Sequence, residues 1–124
     1  MKFCWATINV KEMNESISFY QDILGLKLIR RGQATEDIEL AFLGSGETQI
    51  ELICNKSETK IEFGNHIFLG FEVDSLQETM KFLVMKEISI QSGPFRPNNL
   101  ITFLYISDPN GLKIQLVENL KTET

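Results

Sequence analysis

The chain is poor in the residues that most catalytic and metal sites are built from. Its 124 residues include one histidine, two cysteines, one tryptophan and three prolines. With His66 as the only imidazole, no Ser/His/Asp or Cys/His relay is credible, because a nucleophile of that kind needs a base beside it. Cys4 and Cys54 stand fifty positions apart with no CxxC partner. They read as buried thiols in a reducing compartment, neither facing a ligand. No apolar run approaches the roughly 20 residues of a membrane span. The opening Met1-Lys2-Phe3-Cys4-Trp5 runs into alternating residues instead of a secretory core with a cleavage site. The expectation is a cytoplasmic protein with no membrane partner. Positive charge is also scarce: 12 Lys and Arg against 17 Asp and Glu give a net charge of −5. That balance argues against a nucleic-acid partner, whose phosphates are met mainly by lysine and arginine. Gly44-Ser45-Gly46 is not followed by a helix start, so no phosphate-cradling loop is present.

What the chain does have is periodicity. From Phe3 to Val10, Cys4, Ala6, Ile8 and Val10 alternate with Phe3, Trp5, Thr7 and Asn9, which is a strand with one apolar face. Asn14 is placed to cap a helix running to about Leu24, with Gly25 ending it. Leu26–Arg30 reads as a short strand and residues 31–37 as a loop. Ile38–Leu43 and Gln49–Cys54 read as a hairpin, and Asn55–Gly64 as a charged linker. The same order then returns. His66–Val73 alternates, Ser75-Leu76-Gln77-Glu78 has the form of a capping box, and the helix behind it runs to about Lys86. Ile88–Gln91 reads as a strand, Ser92–Asn99 as a loop, and Leu100–Ile106 with Leu112–Val117 as a hairpin around Asp108-Pro109-Asn110-Gly111.

This return is an internal repeat. A shift of 63 lays Trp5 on Phe68, Ile8 on Phe71, Val10 on Val73, Met13 on Leu76, Ser16 on Thr79 and Phe19 on Phe82. In the last strand a shift of 64 lays Ile50-Glu51-Leu52 on Ile114-Gln115-Leu116. The expected fold is α+β: two fused βαβββ repeats, about 3–54 and 66–118, in one domain spanning 1–124, with curved mixed sheets around a cleft. Homodimerisation is expected as well, since each concave sheet leaves an apolar lip and two-fold dimers dominate among oligomers.

Four phrases carry a family resemblance: Asn14-Glu15-Ser16-Ile17-Ser18-Phe19-Tyr20, Leu24-Gly25-Leu26-Lys27-Leu28, Gln49-Ile50-Glu51-Leu52 and Asp108-Pro109-Asn110-Gly111-Leu112-Lys113-Ile114-Gln115-Leu116. Over roughly residues 3–118 the chain resembles the glyoxalase/bleomycin-resistance/extradiol-dioxygenase superfamily, the vicinal oxygen chelate fold, and glyoxalase I in particular. That superfamily spans lyases, dioxygenases, epimerases, thiol transferases and metal-free drug-sequestering proteins, so the fold leaves the activity open. The resemblance implies metal ligands on the first and last strands of each half, which here are Trp5, Glu51, Phe68 and Gln115. The repeat pairs the same positions, 5 with 68 and 51 with 115. In the metal lyases they hold His or Gln and Glu; here there is one carboxylate, one amide and two rings without a usable lone pair.

Candidate ligand-binding residues are therefore Trp5, Thr7, Glu51, His66, Phe68, Arg96 and Gln115. Trp5 and Phe68 suit a flat or cationic ligand, and extra core is their plainer role. Glu51, aimed away from buried Ile50 and Leu52, is the catalytic candidate; an outward-facing strand carboxylate is its plainer role. His66, two positions before Phe68, can share that strand face and join Glu51 at a metal, or simply be solvated. Arg96 in Gly93-Pro94-Phe95-Arg96-Pro97 can clamp an anion or merely face water. Three functions stay open. The first is a small-molecule binder without a cofactor, of the bleomycin-resistance type. The second is a lactoylglutathione-lyase-like lyase or isomerase using a divalent metal such as nickel or zinc. The third is a regulatory or scaffold module without chemistry.

Overall fold

A computed structural model describes residues 1–46, 48–58 and 60–120. The chain divides after Glu62 into two compact units. Thr59, inside the segment read as a linker, lies outside the described residues.

The first unit runs β1 (Trp5–Asn9), α1 (Met13–Ser18), a π-helical turn (Phe19–Ile23), β2 (Lys27–Gln33), β3 (Ile38–Gly44) and β4 (Gln49–Asn55). Its four strands lie in the order β1-β4-β3-β2, with β1 and β4 parallel and the others antiparallel. The alternation expected of β1 holds at Ile8, which is buried, while Trp5 and Asn9 are exposed. Cys4 is exposed and Cys54 half-buried, so the expectation of two buried thiols is corrected. Cys4 precedes the first ladder pair, Trp5↔Gln49, and Cys54 sits near the end of β4 with Sγ 3.5 Å from the Lys11 carbonyl oxygen.

The cap of α1 is Glu12, not Asn14. Its two carboxylate oxygens accept the amides of Glu15 at 2.9 Å and Asn14 at 3.1 Å. A carboxylate can serve orphan amides as an asparagine does, with added attraction to the helix dipole. The helix continues as a π turn in which the Leu24 amide donates to the Phe19 carbonyl. Phe19 and Tyr20 are both buried there. Gly25, at φ 75°, closes the element in the left-handed conformation open to glycine, its amide on the Gln21 carbonyl. Residues 31–33, read as loop, extend β2: Gln33 pairs with Glu39, and Arg31 donates to the Glu39 carboxylate. That bond holds the guanidinium pKa above its ordinary value.

The second unit repeats the programme with β5 (Phe68–Glu72), α2 (Leu76–Met85), β6 (Ser92–Phe95), β7 (Ile101–Ser107) and β8 (Lys113–Asn119), ordered β5-β8-β7-β6. Thus β1 and β5, like β3 and β7, are 63 apart, and β4 and β8 are 64 apart, as the sequence repeat requires. Ser75 caps α2 by accepting the Glu78 amide at 3.1 Å. The return arm of the expected box is replaced, since Glu78 turns to Lys81 at 3.3 Å. The Leu76 amide donates to a carboxylate oxygen of Glu118 on β8 at 2.8 Å.

The second strand of this unit is misplaced in the sequence reading. Residues 88–91 are not strand; β6 begins at Ser92 and includes Pro94. Proline reads as loop, yet β6 is an edge strand and Pro94 falls in the register shift between the ladder pairs Ser92↔Tyr105 and Phe95↔Phe103, where proline is tolerated. His66 lies ahead of β5 in a bend and is exposed, so strand alternation does not fix its direction as expected. Asp108 organises the β7–β8 turn, its Oδ1 accepting the amides of Asn110 and Leu112 at 2.8 Å each. Among the described residues no helix is long and apolar enough to cross a membrane.

Candidate functional site

Ladder register decides which side chains share a sheet face. In the first unit Thr7 pairs with Glu51, Glu51 with Phe42, and Phe42 with Arg30. Directly paired residues point the same way, so these four stand in one row, with Trp5 two positions before Thr7 on the same side. The opposite face carries Ile8, Leu52 and Ala41, all buried. Within the row, the Thr7 hydroxyl donates to Glu51 Oε1 at 2.6 Å. Glu51 is only 9% exposed, so this bond fixes a carboxylate that is largely withdrawn from water. Trp5 meets Phe42 edge-on at 5.2 Å, and the Arg30 guanidinium lies 4.3 Å from the centroid of the Phe42 ring.

The second unit places a related row on its own sheet. Gly70 pairs with Gln115, and Gln115 with Tyr105. Phe68 meets Tyr105 edge-on at 5.4 Å, as Trp5 meets Phe42, and positions 42 and 105 are again 63 apart. Where Thr7 holds Glu51, Gly70 makes room: a Cβ there would sit 3.2 Å from Gln115 Oε1. Gln115 Nε2 donates to the Tyr105 hydroxyl at 3.4 Å. Phe95 and Phe103 extend the aromatic face, their rings 5.6 Å apart, and Lys113 Nζ lies 4.2 Å from the Tyr105 centroid and 5.3 Å from that of Phe68.

Of the sequence-derived candidates, Trp5, Thr7 and Glu51 are brought together in one unit, and Phe68 and Gln115 in the other. His66 stands off the strand, and Arg96 follows the end of β6, exposed. The sequence reading missed Phe42, Tyr105, Arg30 and Lys113. The repeat carried the signal for the first pair, since the shift of 63 lays Phe42 on Tyr105. The two cations had none, because their use depends on which ring they reach.

The donor chemistry bears on a divalent ion. The row of the first unit offers one carboxylate, with one oxygen engaged by Thr7; that of the second offers one neutral amide oxygen. Among the described residues no group of three or more His, Cys, Asp and Glu could hold a metal ion. Octahedral and tetrahedral sites want at least three good donors and room for water, and rings at positions 5 and 68 supply neither. The residues present do not fit the metal that the fold family implies.

Residues 2–116 match the family described as the Glyoxalase/Bleomycin resistance protein/Dioxygenase superfamily. A lactoylglutathione lyase of Haemophilus influenzae is 32% identical over 134 aligned positions, covering 100% of this chain and 97% of that protein. The lactoylglutathione lyase of Salmonella typhimurium is 31% identical over 128 positions, covering 95% and 93%. Among solved structures, a glyoxalase family protein from Bacillus cereus aligns with a TM-score of 0.83 at 20% identity, over 98% of this chain and 95% of that one.

Proposed function

Because the chain belongs to the glyoxalase/bleomycin resistance/dioxygenase superfamily, we propose that it binds a small organic molecule on its aromatic sheet faces without a divalent ion. The observation that carries this reading is ring geometry: Trp5 and Phe68, at the positions where the family resemblance implies metal ligands, each pack edge-on against a second ring. Rings so arranged present apolar, stacking-competent surface, with Glu51 as a polar group on the face of the first unit and Gln115 on that of the second. The same reading takes residues 1–124 as one domain, the protein as a cytoplasmic homodimer, and Glu51 as a ligand-orienting group.

A lactoylglutathione-lyase-like activity is the second reading. Kinship favours it over sequestration, since the lyase relatives are matched over nearly their whole length at 31–32% identity. It requires metal ligands beyond Glu51 and Gln115. Trp5 is the only tryptophan and lies on the proposed face, so its emission reports binding directly. Titration with planar aromatic compounds is expected to change Trp5 emission saturably, with no turnover of S-lactoylglutathione or of the methylglyoxal–glutathione adduct. Turnover that follows added nickel or zinc would establish the lyase reading instead.

A further inference from the structure

The two arginines of β2 are used differently. Arg31 is committed to Glu39, whereas Arg30, on the other face of the strand, has no carboxylate partner among the described residues and lies over the Phe42 ring. Beside it is a hollow of about 280 Å³ lined by Arg30, Arg31, Gly32, Gln33, Leu40 and Phe42. A contact with a ring consumes no carboxylate, and the guanidinium carries its N–H donors in a fixed fork that matches one. The ring also holds the side chain in place before a ligand arrives, which lowers the ordering cost of binding. Leu40 and Phe42 make the wall beside that fork apolar, and Gly32 adds no side chain to fill the space.

We propose that this hollow binds an organic carboxylate, the carboxylate accepting from the Arg30 guanidinium and the apolar body lying against Leu40 and Phe42. The proposal rests on the small-molecule-binding reading above and specifies its ligand class. Inorganic phosphate satisfies the cation but not the wall, and a neutral aromatic satisfies the wall but not the cation. A ligand with both is the one the hollow discriminates for.

The test is calorimetric titration of the full chain with 2-naphthoate, its neutral analogue 2-naphthamide, and inorganic phosphate. Naphthoate is expected to bind at least about tenfold more tightly than the amide or phosphate, as a charge-assisted bidentate pair implies. Arg30→Gln should remove that advantage, so that naphthoate and naphthamide bind the variant about equally. Arg30→Lys, which keeps the charge but not the fork, should restore only part of it. Lys60→Gln, which removes one charge from the exposed segment after β4, should change nothing. Equal affinity for naphthoate and naphthamide, or an unaltered preference in Arg30→Gln, overturns the inference while leaving the binding reading in place. Phosphate binding as tight as naphthoate overturns it as well, marking a plain anion site. Failure of both naphthalene compounds to bind overturns the inference and the binding reading together.

Discussion

Leu52→Ala is expected to lower the unfolding free energy by about 2–5 kcal/mol, and Leu116→Ala by a similar amount. The two leucines hold equivalent places in β4 and β8, at 0% and 3% exposure. Leu52 lies between Ile8 and Ala41 on the apolar face of its sheet, and Leu116 between Phe71 and Leu104. Both sit on inner strands, where neighbours on each side limit collapse into the space left by truncation, so the cavity adds to the lost transfer energy. Urea unfolding of both variants checks this. A loss below about 0.5 kcal/mol in either, the range of ordinary surface substitutions, would show that the corresponding sheet does not contribute its own core.

Asp108→Ala is expected to cost about 3 kcal/mol, because two amides lose a charged acceptor at once. Asp108 is 4% exposed, and its Oδ1 takes the Asn110 and Leu112 amides across a turn whose ends are joined by the Asp108 amide and the Leu112 carbonyl. Asp108→Asn keeps a carbonyl acceptor and should lose about 1 kcal/mol. Equal losses in the two variants, read from urea midpoints at unchanged slope, would mean that the charge plays no part in holding the turn.

Much of the fold was legible because it is stated twice. The alternation in β1 and β5, the hairpins and the shifts of 63 and 64 are consequences of strand period and of equal element lengths, and they place Trp5, Glu51, Phe68 and Gln115 on their sheets from the sequence alone. The features that were not legible depend on tertiary partners. Glu12 in place of Asn14 as a cap, and Glu118 serving the Leu76 amide, are choices between several polar groups within reach. The position of β6 was hidden because Pro94 is harmless only at a sheet edge, and edge position is a property of the assembled sheet. The exposure of Cys4 follows from where the ladder begins. Arg30 and Arg31 are neighbours in sequence, and only the pleat of β2 sends one to Phe42 and the other to Glu39.

We propose that this member uses the superfamily fold on aromatic and polar contacts, without a divalent ion among positions 5, 51, 68 and 115. Glu51 is the one anionic donor there, so any resident metal must depend on it. The most direct measurement is elemental analysis of protein purified without chelator, before and after exposure to nickel and zinc, for the natural chain and Glu51→Ala. Substoichiometric metal is expected in both proteins, with no difference between them. Stoichiometric nickel, zinc, iron or cobalt in the natural chain, lost in Glu51→Ala, would instead establish a metal site built on Glu51.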